Sequence, residues 1–135
     1  GIGTYVGTDA SSFTGLELSI FGNGTGNGKL KIELYDDDKG SWETKYDKDW
    51  MTLKDDIWAF EQNVDLRGWK RVYLPFSGFV LTNPKKGDGK MNFDQVNGSG
   101  GLLQIQMIAL ASSADGEVNL NIDNAALVVK EEDQE

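Results

Sequence analysis

Apolar and polar residues alternate along most of the chain, and turn residues break the alternation at short intervals. Leu16, Leu18 and Ile20 alternate with Glu17, Ser19 and Phe21, and Leu30, Ile32 and Leu34 with Lys31, Glu33 and Tyr35. A period of two marks a strand with one buried face. Between these two runs, GNGTGNG supplies residues that accept positive φ at low cost. The same reading predicts a strand over 41–47, with Trp42, Thr44 and Tyr46 on one side. It predicts another over 57–63, where Trp58, Phe60 and Gln62 face away from Ile57 and Ala59, and one over 69–75 that ends at Pro75. LLQIQMIALA, from Leu102, sets Leu103, Ile105 and Met107 on one face and Gln104 and Gln106 on the other. Val118, Leu120 and Ile122 alternate with Asn119, Asn121 and Asp123, and a last apolar stretch runs from Ala125 to Val129.

The connection from Ser77 to Gly101 exceeds an ordinary loop, which predicts a functional segment or a short extra element. About eight short strands without a helix describe an all-β protein, an antiparallel jelly-roll β-sandwich. Residues 1–130 are expected to form a single domain, with the acidic EEDQE of 131–135 as a tail or the start of a linker.

Composition narrows the chemistry. The 135 residues carry a net charge of −9, which repels nucleic acid and anionic membranes, and no stretch is long and apolar enough for a membrane span. With no Cys and no His, thiolate zinc sites, disulfides and histidine acid–base chemistry are excluded together. Carboxylates, hydroxyls, amides, lysines and aromatic rings remain. The first residues, GIGTYVGTDA, lack the charged and apolar regions of a signal peptide and lack an initiating Met, as expected of a processed chain or a piece of a longer one.

Three stretches carry a family pattern. Gly68-Trp69-Lys70-Arg71-Val72-Tyr73-Leu74-Pro75-Phe76-Ser77-Gly78-Phe79 resembles the W-x-x-v-x-l-P-F-s-x-F run of jelly-roll carbohydrate-binding modules of families 11 and 30. Phe13-Thr14-Gly15-Leu16-Glu17-Leu18 is similar to their y-x-G-L-s-F strand, and Val118 to Asn124 to their closing f-x-I-D-n-i strand. The Trp-to-Phe run also occurs in other galactose-binding-like sandwiches, including a mitochondrial complex I assembly factor family. Modules of families 11 and 30 have a further N-terminal stretch with an early Glu. Its counterpart is short here, so the resemblance implies a sandwich that lacks its first strand or borrows one from a neighbour.

Such modules stack aromatic rings on sugar faces and satisfy the hydroxyls with amides, carboxylates and Arg. If successive strands fall in opposite sheets, one outward set holds Glu17, Ser19, Trp42, Tyr46, Trp58, Gln104 and Gln106. The other holds Glu33, Tyr35, Arg71, Tyr73, Asn119 and Asn121. The resemblance places the cleft on the strand matching Leu102–Leu110, which selects Trp42, Tyr46, Trp58, Gln104 and Gln106 as ligand residues. Trp69 is assigned to packing and Trp50, in a charged loop, to an exposed rim. The resemblance also implies a structural Ca²⁺ held by Asp123. Asp36–Asp38 with Gly40 misses the EF-hand spacing and reads as a solvated acidic turn. No pair of acids stands in a glycosidase or nucleophile motif.

The expectation is a noncatalytic, extracellular or cell-surface module that binds a β-linked plant polysaccharide such as a β-glucan. The alternative is an extracellular structural protein that self-assembles with neighbouring copies into a filament, sheath or tube by strand exchange.

Overall fold

The computed structural model describes residues 1–24, 28–38, 42–112 and 118–130. It is all-β, in two antiparallel sheets, with eight strands and no α-helix among the described residues. The strands are β1 (Ile2–Thr8), β2 (Gly15–Asn23), β3 (Gly28–Asp36), β4 (Asp56–Asn63), β5 (Arg67–Pro75), β6 (Val80–Leu81), β7 (Leu102–Ala111) and β8 (Leu120–Val128). A 3₁₀ turn, Phe76–Gly78, follows Pro75. The five-stranded sheet has the order β1-β7-β3-β4-β6 and the three-stranded sheet β5-β2-β8. This is the two-sheet architecture of a β-sandwich.

The chain forms two compact units, each assembled from three separate stretches, with β3, β4 and β7 contributing to both. One unit comprises Gly1–Ser11, Ile32–Phe60 and Phe79–Met107, and the other Ser12–Lys31, Glu61–Gly78 and Ile108–Glu135. In the first, Ile32, Leu34, Ile57, Ala59, Phe79, Phe93, Leu102 and Leu103 are buried. In the second, Leu16, Leu18, Ile20, Leu30, Val72 and Leu74 are buried, the inward positions that the alternation of β2, β3 and β5 predicts.

Three elements depart from the sequence expectation. The N-terminal segment is itself a strand: β1 pairs antiparallel with β7, from Ile2 opposite Met107 to Thr8 opposite Leu102. The chain therefore supplies its own first strand at the edge of the five-stranded sheet. The two apolar runs expected at 118–123 and 125–129 are joined by one continuous β8, Leu120–Val128, which pairs with β2. Residues 42–47 form no strand, only an isolated bridge between Tyr46 and Thr52. Asp37 Oδ2 accepts from Trp42 N, and Asp47 Oδ1 accepts from the amides of Asp49 and Met51, which turns the chain back after residue 47. The long connection before Gly101 does contain a short element, β6, which pairs with β4.

Candidate functional site

The side chains with the best claim to a ligand all belong to the first unit. Its sheet face is organised by Tyr35 of β3, whose hydroxyl donates to Gln106 Oε1 at 3.2 Å and hydrogen-bonds with Tyr46. Burial holds the Tyr35 hydroxyl far above its usual range, and the neighbouring Glu33 and Tyr46 reinforce the effect, so it remains a donor. Gln104 Nε2 donates to the same Gln106 oxygen at 3.4 Å. That oxygen is thereby used up, and neither Gln106 Nε2 nor Gln104 Oε1 is engaged in these bonds. On β1, Tyr5 stands opposite Gln104 and is largely exposed.

Tyr46 opens a tight turn in which Asp47 O accepts from Trp50 N, and Lys86 Nζ pairs with Asp47 Oδ2 at 3.1 Å. The turn holds Trp50 at φ 61°, with 79% of its surface exposed and its ring centroid 6.0 Å from that of Tyr46. An exposed tryptophan ring against a tyrosine, beside half-buried amides, can stack on an apolar ring face and hydrogen-bond around it.

Among the expected ligand residues, the structure thus joins Tyr46, Gln104 and Gln106, through Tyr35. Trp58 is held elsewhere, its indole N–H donating to Asp36 Oδ2 at 3.3 Å. Trp42 is half-exposed and anchored by its indole N–H to Gly98 O at 2.7 Å. The division into two outward sets does not hold, because β3 and β4 are neighbours in one sheet. Tyr35 joins the glutamines, whereas Glu17 and Ser19 lie opposite Tyr73 and Arg71 in the three-stranded sheet. There Arg71 Nε and Lys130 Nζ both pair with Glu17. Trp69, on the same sheet, is exposed and touches Phe21 with ring centroids 5.5 Å apart.

The acidic turn is the larger surprise. Asp36 and Asp37 are buried, and Asp36, Asp38 and Asp56 each offer a carboxylate oxygen within 4.8 Å of the other two. Burial pushes Asp36 up to about 8; the Asn92 amide and Trp58 indole oppose the shift, and the charges of Asp56 and Asp88 add to it. Asp38 rises to about 9, first through burial and then through Asp56. Asp55 rises to about 7 through burial and its neighbour Asp37. A run of acids in a turn gives no sequence signal for this, because the other partners lie at residues 55, 56 and 88. Asp123 is on exposed β8 of the second unit, where its Oδ1 accepts from the Asn124 amide.

A cleft of about 420 Å³ borders the acids, lined by Asp37, Asp38, Asp88, Asn92 and Asp94 among others. A cleft of about 590 Å³ in the second unit is lined by Lys29, Glu61, Asn63 and Asp65 but no aromatic ring. No family model, curated protein or solved structure matches the chain.

Proposed function

We propose that the protein is a noncatalytic carbohydrate-binding module for a β-linked polysaccharide, acting on the sheet face around Gln104, Gln106, Tyr35, Tyr46 and Trp50. The observation that carries this reading is the shared hydrogen-bond set of Tyr35, Gln104 and Gln106 beside the exposed Trp50–Tyr46 pair. Tyr35 fixes the Gln106 amide, so little side-chain entropy is left to lose on binding. Trp50 supplies a large apolar face with few rotatable bonds. Glycoside hydrolysis needs two carboxyl groups flanking the bond, and Glu33, the carboxylate beside Tyr35, is itself largely buried. Binding without bond making is the reading this supports.

Native affinity electrophoresis in gels containing β-glucan, xyloglucan, mannan or no polymer tests it. One polymer should retard the protein, and Gln106→Ala or Trp50→Ala should abolish the retardation, whereas Trp69→Ala in the other unit should not. Equal mobility on every gel refutes the proposal.

The second reading, self-assembly by strand exchange, draws on β1. Five of its seven residues are exposed, Ile2 and Tyr5 among them, at the open edge of the sheet. Under that reading the protein smears on the polymer-free gel and elutes as a concentration-dependent ladder.

A further inference from the structure

We propose that Asp36, Asp38 and Asp56 form a Ca²⁺ site at the junction of β3, β4 and the 87–92 segment. Their carboxylate oxygens lie within 4.8 Å of one another, the span of two Ca–O bonds of 2.3–2.6 Å set end to end. The independent observation is an orphaned atom. Asp36 is 0% exposed, and its Oδ1 has no hydrogen-bond partner, while its Oδ2 accepts from Asn92 N at 3.0 Å and from the Trp58 indole. A buried carboxylate oxygen without a donor is costly unless a cation or a proton meets it.

The remaining contacts arrange the acids and bring no cation to them among the described residues. Asp38 Oδ2 accepts from Asp88 N at 2.9 Å, and Asp56 Oδ2 from Gly89 N at 3.0 Å. Among the described residues no Lys or Arg pairs with any of the three; the nearby Lys86 is bound to Asp47. Asp88 brings a fourth carboxylate against Asp56. Gly87 backs the group so closely that a Cβ there would run into Asp38 Oδ2 and Asp56 Oδ1. Oxygen donors alone select a hard cation. Carboxylates drawn from three segments suit the adaptable shell of Ca²⁺ better than the strict octahedron of Mg²⁺. The site does not depend on the carbohydrate-binding proposal, and its test uses no sugar.

Trp58, bonded to Asp36, provides a sensor. Tb³⁺ added to the metal-free protein should give tryptophan-sensitised luminescence that Ca²⁺ displaces and equimolar Mg²⁺ does not. Calorimetry should show Ca²⁺ binding, weakened by at least about tenfold in Asp38→Asn and in Asp56→Asn. Trp58→Phe, which removes the indole bonded to Asp36, should dim the luminescence. Because each substitution removes one acid from a crowded acidic group, both Asn variants should melt higher than the parent in EDTA and lose its Ca²⁺-dependent rise in Tm. Absence of Ca²⁺ heat and of Tb³⁺ luminescence in the parent overturns the site. So does unchanged affinity in both variants, or equal displacement by Mg²⁺. A Tm gain in the variants that is the same with and without Ca²⁺ means the acids share protons only, and also overturns it.

Discussion

Asn83 is the residue whose removal should be felt most for its size. It is 2% exposed, and its amide group makes three hydrogen bonds to one short segment. Oδ1 accepts from Ile57 N at 2.6 Å, and Nδ2 donates to Thr52 Oγ1 at 2.7 Å and to Asp55 O at 2.8 Å. In Asn83→Ala the Asp55 carbonyl keeps one partner, because the Thr52 hydroxyl also donates to it. The buried Ile57 N–H loses this acceptor, at about 1–3 kcal/mol. Two further lost bonds at about 1 kcal/mol each bring the expected destabilisation to about 3–5 kcal/mol. For a chain of this size that lowers Tm by roughly 10–15 °C. Urea unfolding followed by tryptophan fluorescence measures it directly. Asn83→Asp keeps an acceptor for Ile57 but replaces two N–H donors with, at most, the single O–H of a protonated carboxyl, so it should also be destabilised. The new buried carboxyl has a folded pKa above its unfolded one, so its proton is held more tightly in the native state. The deficit must therefore grow as pH rises above the unfolded value. An Asn83→Ala protein within about 1 kcal/mol of the parent would refute the premise that this network is dry and uncompensated.

Gly101 has φ 72°, and a Cβ there would stand 2.5 Å from Thr8 O and 2.7 Å from Phe93 O; Gly101→Ala should cost about 2 kcal/mol or more, read as a fall in urea midpoint at constant slope. Glu17 is held below its usual carboxylate range by Lys130 and then Arg71, so its contribution is present above the unfolded pKa and lost as pH falls through the folded one. Glu17→Gln should accordingly lower Tm at neutral pH and leave it unchanged once the acid is protonated in both states. Tyr35→Phe removes the donor that fixes Gln106; if the sheet face binds polysaccharide, affinity should drop by roughly three- to tenfold in calorimetry, with a stability loss of about 1 kcal/mol.

The buried positions of β2 and of the alternating run of β3 were legible because burial and period two are the same physical fact at Leu16, Leu18, Ile20, Leu30, Ile32 and Leu34. What misled was polar chemistry. Residues 42–47 alternate like a strand, yet the carboxylates of Asp37 and Asp47 capture nearby amides and turn the chain. β1 was missed because a strand carrying two glycines and exposed along most of its length shows no alternation. The assignment of Tyr35 and Gln106 to opposite sets failed on topology, which local pattern does not encode: strand order decides which faces coincide. Asn83 is a buried hub that local pattern does not reveal, for the same reason. Its three partners lie 26 to 31 residues away.

The two proposed sites meet at the end of β3, and their juxtaposition has a consequence for the ligand. Tyr35 and Asp36 are successive residues, so their side chains leave opposite faces of the strand. One enters the hydrogen-bond set with Gln106 and the other the carboxylate group. Asp56 and Trp58 on β4 repeat the connection through the bond from the indole to Asp36. Any ligand at the Gln106 face therefore sits on a chain whose net charge is already −9, beside an acidic group that burial leaves only partly ionised at neutral pH. Ca²⁺ would cancel part of that local charge but not the whole. A polyanion such as a polyuronate would meet repulsion before any hydroxyl could bond, whereas a neutral glucan or mannan has no charge for the field to act on. On this ground the negative surface, no less than the aromatic pair, favours an uncharged polymer.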